Sequence, residues 1–397
     1  MRLRHPGGEL VHLGYCTNVH PAEDLDGILA QLDAYALPVR ARLDEPVLGL
    51  GLWLAHEPAA ALAADPGLTR RLRAELAVRG LEVVTLNGFP YGGFHQPVVK
   101  HAVYRPDWTT PERRLHTENL ACVLAGLLPD DVEEGSISTL PLGWRDDWQH
   151  PYDSDLANRQ IKLLGDELDA IRRATGRTIR IAFEPEPGCV VETTDDAVRH
   201  LSGLDPRHFG LCLDVCHLAV AFETPDEALR RLAGAGIPVT KVQVSCALHA
   251  DDPSDPATRA ALAAFDEPRF LHQTRRAGHP ATGTDDLPAA LTGLAADVPW
   301  RTHVHIPLHT DPAPPLASTR PVLRAALAAL LRADHPVARH LETETYTWSV
   351  LPEPPRDTAG LADGIAAELD WTRRELLALG LTGQALAPEP NRSTHNR

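Results

Sequence analysis

A (β/α)8 barrel is the fold this sequence predicts. Short apolar runs alternate with longer amphipathic stretches along most of the chain, the runs that read as strands number eight, and carboxylates, imidazoles and one amide fall at or just past the later runs. Parallel strands closed into one barrel bring their C-terminal ends to a common mouth, so those polar positions would meet there.

The first run spans residues 10–16 and is followed by a helical stretch at 25–35. The second covers 47–54, and a helix at 68–79 leads to the third at 81–86. Helices at 111–127, 156–174, 194–201, 225–233 and 320–333 then precede strands at 135–140, 178–183, 209–213, 239–244 and 339–345. The helical stretches are rich in Ala, Leu, Arg and Glu with apolar residues three and four apart, and right-handed crossovers close such an alternation into a barrel. Thr109-Thr110-Pro111-Glu112 predicts a hydroxyl cap, a proline in the first turn and an acid at the positive helix end; Thr224-Pro225-Asp226 and Thr319-Arg320-Pro321 repeat the arrangement. A ninth apolar run at 302–308 follows a long segment, 247–300, that reads as an elaboration over the barrel mouth between the seventh and eighth strands. Residues 1–384 are expected to form a single barrel domain, and the Pro-, Asn- and Arg-containing stretch 385–397 a flexible tail.

Composition narrows the function classes. A hydrophobic fraction of 43% and a charged fraction of 23% are those of an ordinary globular protein. The net charge of -16, with no basic cluster beyond short runs such as Arg70, Arg71 and Arg73, argues against a nucleic-acid partner. Residues 1–8 lack an apolar signal core, and no stretch approaches the roughly 20 apolar residues that span a bilayer, so neither membrane insertion nor export is expected and the cytoplasm is the expected location. The six cysteines contain no C-x-x-C pair and read as reduced core thiols, with Cys16, Cys189, Cys216 and Cys246 near strand ends. Oligomeric state is not legible.

The candidate chemistry begins at Glu184, left at the end of a buried run that stops at Pro185 and Pro187, with Glu186 as a second candidate. Asp214 and His217 end the next run in an Asp-x-x-His step that can turn both side chains toward one metal or one substrate. Lys241, Gln243 and Ser245 share a face by two-residue alternation, as do His303 and His305, and Glu342 and Glu344. Two acids on one inward face repel unless a cation or a proton relieves them. Glu344 lies nearer the strand's C-terminal end, whereas Glu342 suits a supporting role or a buried ion pair. Glu184, Asp214, Gln243, His303, His305 and Glu344 are therefore the candidate metal ligands for one divalent ion. Plainer readings stand beside these: a loop acid for Glu184, a helix-start or core histidine for His217, a hydrogen-bonded polar face for the paired histidines. In the N-terminal half, the loop after the third strand mixes glycines with Asn87, Tyr91 and His95, which with His217 are the candidate substrate-binding residues; it matches no Walker A or dinucleotide fingerprint, so nucleotide binding is not expected.

Taken together, Glu184, Asp214-x-x-His217, Gln243, His303-x-His305 and Glu344 resemble the metal site of the xylose isomerase-like TIM barrels over roughly 179–348. More narrowly, Tyr15-Cys16-Thr17-Asn18-Val19-His20-Pro21, Leu86-Asn87-Gly88-Phe89-Pro90-Tyr91-Gly92-Gly93-Phe94-His95, Pro106-Asp107-Trp108-Thr109-Thr110-Pro111-Glu112-Arg113 and Glu344-Thr345-Tyr346-Thr347-Trp348 resemble the metabolite traffic protein EboE family over nearly the full length. That resemblance implies a place in making or exporting a bacterial secondary metabolite. The wider resemblance implies a Glu, Asp, His, Glu ligand set in which two glutamates move a proton beside a carbonyl. Glu184, Asp214 and Glu344 match it, and Gln243 stands where histidine is usual.

The expected activity is a metal-dependent isomerase, epimerase or dehydratase acting on a sugar or cyclitol, with or without a phosphate, with Glu184 and Glu344 as acid and base. Two other classes remain open. A phosphoesterase needs two or three metals, for which His95, His249 and His309 are the extra ligands available. A binding or handover protein needs only the barrel.

Overall fold

The computed structural model describes residues 1–383 of the chain; the tail expected at 385–397 lies outside them. Eight parallel strands form a closed barrel: β1 (Leu10–Cys16), β2 (Leu48–Trp53), β3 (Leu81–Asn87), β4 (Glu134–Thr139), β5 (Thr178–Phe183), β6 (Phe209–Asp214), β7 (Val239–Val244) and β8 (His340–Thr343). Closure is made by β8, which pairs with β7 on one side and with β1 on the other. β2 is buried from end to end, as the inner layer of a barrel wrapped by helices requires, and its run Leu-Gly-Leu-Gly-Leu-Trp is correspondingly unbroken by polar residues.

Observed strand ends differ from the sequence-based limits by a residue or two. The eighth is shortest, stopping at Thr343, so Glu344 stands just beyond the ladder. Two short strands, Arg2–Arg4 and Thr382–Gly383, extend the sheet antiparallel at the N-terminal end of β1. The helix expected at 25–35 is interrupted: Leu25–Gln31 passes through a wider turn at Leu32–Ala36 into Leu37–Leu43. Helices at His56–Ala64 and Thr358–Ala378 complete the outer ring beyond those anticipated.

The three threonine-proline helix starts lie where expected, but their hydroxyls do not cap. Thr110 Oγ1 donates to the Asp107 carbonyl, Thr224 Oγ1 donates to Glu227, and Thr319 Oγ1 accepts from the Ala247 amide. Proline in the first turn has already removed one amide that needs an acceptor, which leaves these hydroxyls to tie the helix starts to neighbouring groups.

The segment between β7 and β8 carries a five-stranded antiparallel sheet, ordered His279–Thr284, Thr274–Arg276, Trp300–Thr302, Leu248–Ala250 and Ala317–Ser318. It sits at the mouth, since residues 270, 271, 303 and 305 from its connections line the cavity there. The ninth run is only partly a strand. Trp300–Thr302 pairs within this sheet, after which the chain leaves regular structure and carries His303 and His305 inward. Among the described residues no helix is long and apolar enough to cross a membrane.

The barrel interior is not wholly apolar. Lys241 and Glu342, both with no exposed side-chain area, form an ion pair at 3.1 Å, and Lys241 also donates to the Leu86 carbonyl at 3.1 Å. Gly51 on β2 makes room for the acid, because a Cβ there would lie 1.5 Å from a Glu342 carboxylate oxygen. The cation that relieves Glu342 is therefore Lys241, and Glu344 alone of that pair faces the mouth. All six cysteines are unpaired thiols, five buried and Cys122 exposed on its helix.

Candidate active site

Three carboxylates converge at the C-terminal ends of the barrel strands. Glu184 follows β5, Asp214 ends β6 and Glu344 follows β8; each offers an oxygen within 4.8 Å of the others, a grouping able to hold a metal ion. All three are buried. Local structure fixes each. Glu184 is anchored by its amide on the Thr139 carbonyl of β4, and Asp214 uses Oδ1 to cap the helix Val215–Val220 through the His217 amide at 2.9 Å. Ser245 donates to the same Oδ1 at 2.9 Å. Glu344 Oε1 accepts from two amides, Asn18 Nδ2 at 2.8 Å and Asn87 Nδ2 at 2.9 Å.

What remains unpaired is aimed at the site. Glu184 Oε2, Asp214 Oδ2, His305 Nε2 and both amide atoms of Gln243 are buried with no hydrogen-bond partner. A buried polar group left in that state costs about 1–3 kcal/mol, and the acceptors among these, Glu184 Oε2, Asp214 Oδ2, His305 Nε2 and the Gln243 amide oxygen, are atoms that a bound cation would satisfy. Gln243 stands opposite Asp214 on one neighbouring strand and opposite Glu342 on the other. His305 Nε2 lies 3.9 Å from Asp214 Oδ2, and its Nδ1 donates to the Glu344 carbonyl, which leaves Nε2 with its lone pair free. Carboxylate oxygens with one amide and one imidazole suit a divalent ion such as Mn, Mg or Zn.

The electrostatics follow from crowding. Burial, then Glu344 and Asp214, hold the Glu184 carboxyl well above the usual carboxylate range. Burial, then Asp214 and Glu342, push Glu344 up to about 8. Without a cation the cluster therefore retains protons near neutrality.

A second polar group adjoins the first. His217 Nδ1 donates to the Pro185 carbonyl at 2.9 Å, and His303 Nδ1 donates to Gln273 Oε1 at 2.7 Å. Those assignments leave a bare Nε2 on each ring, and the two face one another at 3.1 Å. Such a contact calls for a proton or a donor between them, and Tyr346, whose hydroxyl lies 3.3 Å from His303 Nε2, is one donor within reach. Burial draws His217 down to about 4, and burial with His217 and His305 holds His303 well below the ordinary imidazole value. Glu186 closes this side: it accepts from the Tyr104 hydroxyl at 2.7 Å, and burial pushes it up to about 8.

Of the substrate-binding candidates, Asn87 and His217 line the cavity, together with Glu184, Glu344, His303 and His305. Tyr91 and His95 do not. Tyr91 stacks on His56 with ring centres 4.4 Å apart, and His95 lies behind the site, its Nε2 bonded to the Asn18 carbonyl at 2.7 Å. The glycine-rich loop turns these two away from the mouth, so His95 steadies Asn18 from behind. Asn18, Tyr104, Gln273 and Tyr346 were not anticipated. Asn18 sits in a Tyr-Cys-Thr-Asn-Val-His string that ends the first strand and was a legible hint. Gln273 belongs to the inserted segment, where no periodicity marks it.

No curated protein matches the chain in sequence. Among solved structures, it is similar to a xylose isomerase domain protein from Planctomyces limnophilus, at 14% identity over 86% of this chain and 91% of that one, with a TM-score of 0.46. It is likewise similar to a xylose isomerase-like TIM barrel protein from Mycobacterium smegmatis in complex with magnesium, at 15% identity, 92% and 98% coverage and a TM-score of 0.46. A third is D-allulose 3-epimerase from Methylomonas sp. in complex with D-allulose, at 12% identity, 94% and 100% coverage and a TM-score of 0.49. Residues 49–258, more than half of the sequence, match the family of xylose isomerase-like TIM barrels, and the chain belongs to that family.

Proposed function

We propose that this protein is an enzyme with one divalent metal ion, an isomerase, epimerase or dehydratase that moves a proton next to the carbonyl of a sugar or cyclitol. The observation that carries the reading is the convergence of Glu184, Asp214 and Glu344, ringed by unpaired buried atoms of Gln243 and His305. Those five residues would hold the ion, which when bound would polarise the carbonyl of a chelating substrate.

The chain's own residues supply the rest. Glu184 and Glu344 approach from β5 and β8, on different sides of the mouth, so one can take the proton from a carbon beside the carbonyl while the other returns one. Asn18 and Asn87 hold Oε1 of Glu344, which leaves Oε2 for that work. A substrate hydroxyl reaching His217 Nε2 or His303 Nε2 would supply the donor that their 3.1 Å contact calls for. The sequence strings shared with the metabolite traffic protein EboE family make that membership, and a setting in bacterial secondary metabolism, part of the proposal.

The test pairs elemental analysis with exchange of substrate C–H protons in deuterated solvent, using the metal-loaded chain. Metal at one equivalent with C–H exchange is expected, and Glu184→Gln with Glu344→Gln should abolish both. Binding of metal and a polyol without exchange would favour a handover protein, and two or three equivalents of metal would favour a phosphoesterase.

A further inference from the structure

Part of the cavity that holds the carboxylates is lined by aromatic and apolar side chains. Phe94, Phe270 and Tyr346 pack with ring centres 4.9–5.4 Å apart, Tyr346 continues the stack onto His305 at 4.7 Å, and Phe89 and Val99 extend the surface along the same cavity. These rings and the polar wall bound one cavity that is open to solvent on one side.

Charge in the cavity points the same way. Glu184, Glu186 and Glu344 line it, and among the described residues the only lysine or arginine that does so is Lys100, whose ammonium is already held by Asp286. The imidazoles offer little substitute: Nδ1 of His217 and of His303 are spent on Pro185 and Gln273, and their Nε2 atoms are turned on one another at 3.1 Å. A phosphate group binds best through N–H donors and positive charge, and among the described residues lining this cavity no unpaired ammonium or guanidinium is on offer.

Resting on the reading above, we infer that the substrate is an unphosphorylated hydroxycarbonyl compound whose non-reacting part is an uncharged aromatic, alicyclic or alkyl body seated against Phe94, Phe270 and Tyr346. The polar edge meets the carboxylates and the body meets the aromatic wall, so specificity resides mainly in apolar burial.

Three probes that share one hydroxycarbonyl pair test this: dihydroxyacetone, dihydroxyacetone phosphate and 2-hydroxyacetophenone, titrated by calorimetry into the full chain loaded with Mn and into the chelator-treated chain. The phenyl ketone is expected to bind on the order of tenfold or more tighter than dihydroxyacetone, and the phosphate no tighter. Phe270→Ala should remove most of the advantage of the phenyl ketone over dihydroxyacetone. Tighter binding of the phosphate, or no gain from the phenyl ring, overturns this substrate class while the metal-dependent reading stands. Binding of all three that is indifferent to Mn, or no binding at all, overturns the metal-dependent reading and this inference with it.

Discussion

Replacing Lys241 by Met removes the cation that pairs with Glu342 inside the barrel, and the cost can be worked from the geometry. At the observed 3.1 Å the pair attracts by roughly 5 kcal/mol at an effective dielectric of about 20. Neither side chain has exposed area, so both were stripped of water on folding and the attraction is largely spent in offsetting that loss. Breaking the pair leaves a charge with no compensation. Lys241→Met and Glu342→Leu should therefore each destabilise by about 3–5 kcal/mol, while the double variant, which removes both charges, should lie within about 2 kcal/mol of the parent. Urea unfolding of the four proteins, read from midpoint and slope, gives the cycle directly. If the two single effects sum to the double effect within about 0.5 kcal/mol, the residues are uncoupled and the assignment of Lys241 as the cation that relieves Glu342 is wrong.

Three other outcomes follow from the same geometry. Asp214→Asn keeps an oxygen to cap the helix Val215–Val220, whereas Asp214→Ala removes it; both should lose bound metal by elemental analysis, but only the alanine variant should lose a further 1–2 kcal/mol or so in urea unfolding. In chelator-treated protein, Glu344 and Glu186 titrate near 8 when folded, well above their unfolded value of 4.5, so the folded chain binds more protons and stability falls as pH rises from about 7 through about 8. The buried imidazoles, with folded values below 6.5, contribute their opposite slope only under that window, but the buried Met1 amine, lowered from 8.0, contributes one within it. The check is therefore a steeper fall in melting temperature between pH 7 and 8 in the parent than in Glu344→Gln, and equal slopes would contradict the crowding of the site. Gly51→Ala should cost about 1–3 kcal/mol in urea unfolding, because its Cβ would displace the Glu342 carboxylate from its place beside Lys241.

Much of the barrel is legible because a parallel strand buried on both sides must be an apolar run, and a helix on the outside must show its period. The same logic exposes Glu184, Asp214 and Glu344, since an acid at the end of such a run has left the core and must face the mouth. Lys241 and Glu342 defeat it. They sit mid-strand on the inward face, where alternation alone cannot separate a buried ion pair from a ligand. The threonine hydroxyls at the helix starts do not cap: Thr110 and Thr224 bond groups three residues away, and Thr319 bonds the distant Ala247 amide. His303 and His305 were paired by alternation, yet irregular chain gives them different tasks: one meets His217 and Gln273, the other turns toward Asp214 and Glu344. Gln273 and Tyr104 depend on contacts between segments far apart in sequence, at 2.9 Å between the amide and the phenol, and no short pattern encodes that.

The small antiparallel sheet between β7 and β8 divides authorship of the site. The carboxylates belong to the barrel, whose strands cannot be altered without risk to closure, while Phe270, Gln273, His303 and His305 belong to a graft held at two points of the chain. Rewriting the graft would therefore change the aromatic wall together with one candidate ligand, His305, while the three carboxylates stay where the barrel puts them.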